Sequence, residues 1–380
     1  IANGYGCVLF PEGTSHNDSY MLRFRTGPMR TVLAAGALAA TSNKPLPVLI
    51  PLGLHFRQKE HFRTDVWVEY GEPIQVESED IPDNLIEAVG DGTWSEPPAE
   101  SVFRLRDNLR EKLVPLSPDV HSWDEYRGLQ LLGHVKGRLE GNPPKSWSQE
   151  VQSARHFRNH FADQQRSLDA DDLQPPKITH PLVEKAEQAA EILHNNGLDG
   201  RDLNRQSDGL RRANLAKLPL AASRIALFIV LSPVFLLSLL PQIVLGRILG
   251  DSTDEGIDAR TSYQFLAAMF GSITIWPISS TIIVALLYWQ SGEIDAMFGF
   301  DWTTVLGQGS IAVWATIVIA WLLMFPISLL TGRLFSLVWD DYVDLRGSFR
   351  RATFSKSDKQ ELAAALGEIK HELADFDLTL

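Results

Sequence analysis

The sequence has very little cysteine and fewer basic than acidic residues. Its single cysteine, Cys7, excludes a framework of internal disulfide bonds. The chain has 35 Lys and Arg residues against 47 Asp and Glu residues, and the resulting formal net charge of −12 argues against nucleic acid as a partner. The 380 residues are enough for about two or three domains.

Residues 10–16, Phe-Pro-Glu-Gly-Thr-Ser-His, follow a short apolar run. This run, at residues 5–10, is predicted to be a buried strand that ends at Pro11, because proline cannot continue the hydrogen-bond ladder. Glu12, Gly13 and Thr14 would then lie on the loop that leaves the strand. Gly13 allows backbone N–H groups to approach an anion, and the hydroxyl groups beside it add donors. An ordinary strand-to-helix turn explains the same pattern.

The residues that follow predict one helix and two further strands. An alanine-rich stretch at residues 28–40 has proline in its first turn, as helices often do. Residues 48–53 indicate a second buried strand, and the alternation at residues 64–70 indicates a third, which closes at residues 71–74, Gly-Glu-Pro-Ile. Strand, helix, strand and strand correspond to the second half of an α/β domain.

These segments resemble, in the same order, blocks of the phospholipid/glycerol acyltransferase family. The shared blocks are Phe-Pro-Glu-Gly at residues 10–13, a cationic residue before a helix-opening glycine at 25–27, a strand ending in proline at 50–51, and Gly-x-Pro-Ile at 71–74. The Ser-His pair at residues 15–16, where many relatives have Arg-Ser, is similar to the fungal-type glycerol-3-phosphate/dihydroxyacetone-phosphate acyltransferases. Without that arginine, Arg23 or Arg25 would supply more of the charge for phosphate.

The resemblance implies a set of substrate-binding residues. Glu12 and Gly13 would hold the hydroxyl side of the acceptor, and Pro51 would shape a pocket wall. The implied phosphate contacts are Thr14, Ser15 and Arg25. The resemblance further implies acyl-CoA as the acyl donor, glycerol-3-phosphate or dihydroxyacetone phosphate as the acceptor, and no bound cofactor or metal.

The family also requires a His-x4-Asp pair upstream of the Phe-Pro-Glu-Gly block, in which histidine is the general base and aspartate orients it. No such pair precedes residue 10. His194 has Asp199 at this spacing, but it lies far downstream, where a helix end capped by Gly197 explains it. We therefore expect no catalytic residue in this chain, which begins at Ile1, and expect it to be an inactive fragment of a longer protein. A degenerate, non-catalytic relative is the alternative.

Residues 77–217 are polar and predict a helical cytoplasmic insert, with the clearest helix at residues 182–194. His156 and His160 would share a helix face with Asp163 one turn on, a spacing that can bind a metal. Basic and amide side chains lie between them and favour a solvated face, so no metal is expected.

Residues 218–339 form the predicted membrane region. The stretches 265–289 and 310–332 contain no charged residue and exceed the roughly twenty residues needed to cross a hydrocarbon core. Both flanks of the region are rich in Lys and Arg, whereas residues 290–309 carry only acidic charges, which predicts that this loop lies outside. Two crossings satisfy this distribution if residues 225–246, broken by two prolines, form a re-entrant hairpin on the cytoplasmic side. A third crossing is the alternative.

The predicted fold class is α/β for residues 1–76, as the C-terminal half of a glycerolipid acyltransferase domain, followed by the helical insert, the α-helical membrane region and a cytoplasmic tail at residues 340–380. The predicted function is membrane-bound transfer of a fatty acyl group, from acyl-CoA or acyl carrier protein, to glycerol-3-phosphate or dihydroxyacetone phosphate in phospholipid biosynthesis. Its soluble parts would face the cytoplasm and its membrane region would contact lipids. A lysophosphatidate acyltransferase is one alternative, and a non-catalytic, membrane-anchored lipid-binding or scaffolding protein is the other.

Overall fold

The computed structural model describes residues 1–14, 16–58, 63–162, 174–213, 216–252, 257–290 and 310–374. The chain divides into two compact units. The first unit comprises Ile1–Arg212 and Arg350–Leu380, and the second comprises Ala213–Phe349. Short strands occur in the first unit, whereas the described part of the second unit is helical.

The first unit begins with one helix and four short strands. Helix α1 (Gly27–Thr41) has proline in its first turn, followed by alanine and leucine residues that favour helix. The strands are β1 (Val48–Leu49), β2 (Leu52–Phe56), β3 (Val66–Tyr70) and β4 (Ile74–Gln75). Strand β2 pairs antiparallel with β3, and β1 pairs antiparallel with β4.

Helices α2 (Asp83–Gly90) and α3 (Ala99–Leu113) share one hydrophobic core with α1. Met29 and Leu33 of α1 are fully buried in this core. Phe24, just before α1, is buried in the same core. The core therefore fixes the segment that leads into α1, next to the candidate site.

The strand predicted at residues 5–10 is wrong. These residues form no regular strand, and the side chains of Tyr5, Val8 and Phe10 are 78%, 70% and 69% exposed. A strand needs a neighbour for its backbone N–H and C=O groups, and the described residues place no strand beside this run. The single buried strand predicted at residues 48–53 is also wrong, because Pro51 separates β1 from β2. The described strands thus form two antiparallel pairs and not half of a continuous α/β sheet.

The middle of the chain is helical, as predicted. Helix α4 (Trp123–Leu139) begins after Ser122, whose hydroxyl oxygen accepts a hydrogen bond from the Glu125 N–H at 3.2 Å. Helix α6 (Pro181–Asn195) ends before Gly197, which has φ +64°, so the predicted helix at residues 182–194 is confirmed. Helices α4, α5 (Trp147–Ala162), α6 and the C-terminal helix Lys356–Ala374 surround a second hydrophobic core.

Charge pairs attach the β2–β3 hairpin to helix α5. The guanidinium of Arg155 donates two hydrogen bonds to the Glu69 carboxylate of β3, at 2.7 and 2.6 Å. Arg57, just after β2, donates two to the Glu150 carboxylate of α5, at 2.6 and 2.7 Å. Because such bidentate pairs fix distance and orientation together, they set the position of the hairpin on the helix.

Within its described residues, the second unit has three helices that are long and apolar enough to cross a membrane. They are α8 (Ser232–Asp251), α9 (Ile257–Trp289) and α10 (Ser310–Thr353), and a shorter apolar helix, α7 (Leu218–Val230), precedes them. Helices α9 and α10 continue through Pro277 and Pro326. The helical membrane region expected from the sequence agrees with these lengths and compositions.

Polar side chains join α8 to its two neighbours. Helix α8 contains a π-helical turn at Phe235–Leu239, a geometry that alters the regular pattern of backbone hydrogen bonds. Within this turn, the carbonyl of Leu237 accepts a hydrogen bond from the Ser279 hydroxyl of α9 at 2.6 Å. The Ser238 hydroxyl lies 3.3 Å from the Ser328 hydroxyl of α10. Such interhelical hydrogen bonds stabilise helix packing where water is excluded.

Candidate functional site

A pocket of about 500 Å³ lies at the Phe-Pro-Glu-Gly motif in the first unit. Its walls come from three parts of the chain: the motif itself, the segment that leads into α1, and helix α3. The lining residues are Glu12, Thr14, Leu22, Arg23, Phe24, Arg25, Thr26 and Arg106.

Backbone contacts hold the motif against the segment before α1. The N–H of Arg25 donates to the Pro11 carbonyl at 2.7 Å, and the N–H of Gly13 donates to the Phe10 carbonyl at 3.2 Å. Gly13 has φ +68°, a left-handed conformation that glycine adopts readily. The motif therefore folds into a tight turn beside Arg25.

The carboxylate of Glu12 is held by two donors at a single oxygen. Its Oε1 accepts a hydrogen bond from the Leu22 N–H at 2.6 Å and lies 3.0 Å from the His16 Nε2. The side chain of Glu12 is 17% exposed. Within the described residues its Oε2 has no hydrogen-bond partner, and Glu12 lines the pocket. One carboxylate oxygen is thus available to a ligand hydroxyl group.

Three arginines give the pocket its charge. Arg23 and Arg25 are exposed on the segment before α1. Arg106 comes from α3, where its guanidinium lies 4.8 Å from the Phe103 ring centroid and pairs with Asp107 at 2.7 Å. Guanidinium groups present several donors in a plane and suit phosphate oxygens. Three guanidinium groups and one carboxylate in one pocket favour an anionic ligand that also carries a hydroxyl group.

The structure brings together most of the residues that the resemblance implied. Glu12, Thr14 and Arg25 line the pocket, and Gly13 forms the turn between the first two. Ser15 lies outside the described residues. Pro51 does not line this pocket: it is buried between β1 and β2, where its carbonyl accepts a hydrogen bond from the Gly71 N–H at 2.9 Å.

The sequence pattern did not predict that Arg106 lines the pocket or that the Leu22 N–H binds Glu12. The N–H of Leu22 orients Glu12, while the Leu22 carbonyl accepts a hydrogen bond from Arg110 of α3 at 2.9 Å. Phe24, buried in the core beside α3, anchors the same segment. A charged residue on an exposed helix face carries no local sign that it borders a pocket, so no pattern in the sequence identified Arg106.

His194 and Asp199 have other roles in this fold. His194 lies in the last turn of α6. The Asp199 carboxylate accepts hydrogen bonds from the Arg201 N–H at 2.9 Å and from the Arg201 guanidinium at 2.6 Å. It caps a short 3₁₀ turn. The position of His194 near a helix end followed by Gly197 agrees with the interpretation from the sequence.

The predicted helix face at His156 and His160 falls on α5, and Asp163 lies outside the described residues. Among the residues that are described, no group of three or more His, Cys, Asp or Glu side chains is placed to hold a metal ion.

The fold and the site define a class: a chain with helices of membrane-spanning length whose first unit carries an arginine-lined pocket. No family model matches the chain. No solved structure matches it either.

One curated protein is similar in sequence. Glycerol-3-phosphate O-acyltransferase 2 of Saccharomyces cerevisiae is 31% identical over 139 residues, which cover 35% of this chain and 17% of the yeast protein. The match therefore spans less than a fifth of that relative's length. This distant similarity supports a relationship to the glycerolipid acyltransferases.

Proposed function

We propose that this chain carries the acceptor-binding part of a membrane-bound O-acyltransferase. The reaction would transfer a fatty acyl group from acyl-CoA or acyl carrier protein to a hydroxyl group of glycerol-3-phosphate or dihydroxyacetone phosphate. The observation that carries this proposal is the pocket in which Glu12 lies with three arginines. The name of the yeast relative supports the same substrate.

The pocket suggests how each end of the acceptor is bound. Arg23, Arg25 and Arg106 would bind the phosphate, with the Thr14 hydroxyl as a further donor from the same pocket. The family resemblance implies Ser15 as another phosphate contact. Oε2 of Glu12 would accept a hydrogen bond from the acceptor hydroxyl. In the transfer, this hydroxyl oxygen attacks the thioester carbonyl, the carbon–sulfur bond breaks, and a general base takes the hydroxyl proton.

The membrane helices suit such a reaction. Acyl-CoA and glycerol phosphate dissolve in water, whereas the acylated product partitions into a lipid leaflet. A pocket on a unit tethered by apolar helices would meet both requirements. We place the first unit on the cytoplasmic face, in line with the basic flanks of the membrane region.

Calorimetric titration of the 380-residue chain in detergent with sn-glycerol 3-phosphate tests the proposal. We expect saturable binding by the wild type and about tenfold weaker binding by Arg25→Gln, because one charge-assisted contact to phosphate is lost. Arg30→Gln is a matched control, since Arg30 lies nearby on α1 but pairs with Glu96 and is not a lining residue. Absence of binding by the wild type, or equal weakening by both substitutions, would contradict the proposed site.

A further inference from the structure

We propose that His16 is a positioning residue, which holds Glu12 so that one carboxylate oxygen faces the hydroxyl group of a phosphorylated polyol. The inference rests on the proposed function and deepens it. It assigns selection of the hydroxyl group to a side chain that does not line the pocket itself.

The two carboxylate oxygens of Glu12 have different surroundings. Oε1 faces two donors, the Leu22 N–H at 2.6 Å and the His16 Nε2 at 3.0 Å. These donors approach the same oxygen and leave Oε2 with no partner among the described residues. A carboxylate fixed at one oxygen has lost much of its rotational freedom, so its second oxygen is already oriented before a ligand arrives.

The backbone sets the tautomer of His16. The N–H of Asp18 donates to the His16 Nδ1 at 3.2 Å, so Nδ1 is the acceptor in the neutral ring. The ring proton then resides on Nε2, which donates to Glu12. The Asp18 carboxylate, with Oδ2 at 3.4 Å from Nδ1, adds a negative charge on the far side of the ring. Two consecutive contacts, from Asp18 to His16 and from His16 to Glu12, thus connect the loop at Asp18 to Glu12.

This arrangement divides recognition into two parts. Phosphate binding by the arginines would not depend on His16, because the hydrogen bonds and ion pairs described for Arg25 and Arg106 do not include it. Binding of the hydroxyl group would depend on Glu12, and the orientation of the Glu12 carboxylate would depend on its hydrogen bond with His16. A site built to bond a hydroxyl discriminates against a ligand that lacks it. Loss of His16 should therefore reduce the preference for the hydroxyl and leave phosphate binding unchanged.

The experiment compares two ligands of similar size, sn-glycerol 3-phosphate and n-propyl phosphate, titrated into the 380-residue chain in detergent. We expect the wild type to prefer glycerol phosphate. In His16→Ala this preference should fall about tenfold, the effect of one hydrogen bond to a charged group, while the affinity for propyl phosphate stays unchanged. His16→Gln should restore the preference, because its amide N–H can donate to Glu12. His371→Ala, at an exposed position on the C-terminal helix, is the control.

The other outcomes distinguish failure of the role proposed for His16 from failure of the proposed function. Equal loss of affinity for both ligands in His16→Ala would show a structural role and overturn the proposal. An unchanged preference would overturn it as well, while leaving the arginine site intact. If the wild type binds neither ligand, the proposed function itself fails. His16→Asn, whose amide is too short to reach Glu12, replaces His16→Ala if circular dichroism shows that the alanine variant is unfolded.

Discussion

Gly13 allows the motif to turn beneath the pocket. Its φ of +68° is the left-handed conformation, and a Cβ atom added there would lie 3.1 Å from the Cγ of Arg25. A side chain at this position would meet two separate obstacles, backbone strain and contact with the arginine stem. The position of Arg25 therefore depends on the absence of a side chain at residue 13.

We predict that Gly13→Ala lowers the free energy of unfolding by about 1 kcal/mol through backbone strain. It should also weaken binding of sn-glycerol 3-phosphate severalfold, because the methyl group displaces Arg25. Thermal unfolding and calorimetric titration in detergent measure the two effects. Gly4→Ala separates them, since Gly4 has φ +85° but open space around its Cβ position. Wild-type affinity in Gly13→Ala would show that the contact does not position Arg25.

The pocket residues differ in how far the sequence could identify them. Glu12, Thr14 and Arg25 belong to one short stretch, and its resemblance to the acyltransferase family predicts all three. Arg106 enters the pocket only because α3 packs on the core shared with α1. Ridge-and-groove packing of helices depends on many side chains together, so it could not be derived from a local pattern.

The β2–β3 hairpin shows what an alternating pattern of apolar and polar residues can predict and what it cannot. The pattern at residues 64–70 predicted a strand, and β3 is there. A period of two does not say which face is covered. His55 is 5% exposed on the inner face, whereas Leu54 and Tyr70 are 53% and 72% exposed. The inner face can hold the charged Glu69 because helix α5 provides Arg155 as its partner, which is distant in sequence.

The pKa values of the hairpin follow from the same contacts. Burial is the largest influence on His55 and lowers its pKa from the ordinary value of 6.5; the hydrogen bond to Glu69 opposes this, and the charge of Arg155 adds to it. Burial would raise the pKa of Glu69, but its hydrogen bonds and charge contacts with Arg155 and His55 outweigh burial and lower it. The unfolded chain therefore binds protons more readily than the folded hairpin at both groups, so acid destabilises the hairpin.

We predict that the β3 amides lose protection from hydrogen exchange as the pH falls from about 7 to about 5.5, after correction for the intrinsic exchange rate. In this window His55 is the titrating group, because its unfolded pKa is 6.5 whereas that of Glu69 is 4.5. His55→Gln should remove the loss, since glutamine can donate to Glu69 without titrating. The exposed His371→Gln should retain it. A wild-type pH slope in His55→Gln would assign the proton uptake to another group.

Ion pairs within the second unit constrain the number of membrane crossings. Lys217, just before α7, pairs with Asp344 of α10 at 2.7 Å. Arg224 of α7 pairs with Asp341 of α10 at 2.9 Å. Charged groups that pair directly lie on the same side of a hydrocarbon core. The number of complete crossings between Arg224 and Asp341 should therefore be even.

Contacts of α8 show the direction in which it runs along α9. Leu237, early in α8, meets Ser279 in the second half of α9. Gly246, late in α8, lies against α9 near its start, where an added Cβ would be 2.7 Å from the Gln264 Cα. Helix α8 thus runs back along α9 after the turn at the end of α7. We propose that α7 and α8 form a re-entrant hairpin and that α9 and α10 cross the membrane.

The charge distribution along the sequence predicted two crossings, but it did not exclude a third crossing by residues 225–246. Residues 247–260, which include the segment between α8 and α9, carry charges of both signs, so the positive-inside rule does not place them, and the stretch 232–251 is long and apolar enough to cross. The acidic loop expected outside falls at residues 290–309, which lie almost entirely outside the described residues. Contacts between residues distant in sequence, such as Arg224 with Asp341, are what indicate whether the number of crossings is even or odd.

Cysteine labelling tests whether the chain crosses the membrane two or three times. Cys7→Ser removes the single native thiol, and single cysteines are then placed at Ala213, Ser252, Ser291 and Ser357. With two crossings, a membrane-impermeant maleimide should label the Ser291 site in intact cells, and the other three sites only after permeabilisation. With three crossings, the Ala213 and Ser252 sites would lie on opposite sides, because α7 and α8 would carry the chain across. Labelling of these two sites from opposite faces would exclude the hairpin, whereas labelling from one face requires that the chain return between them.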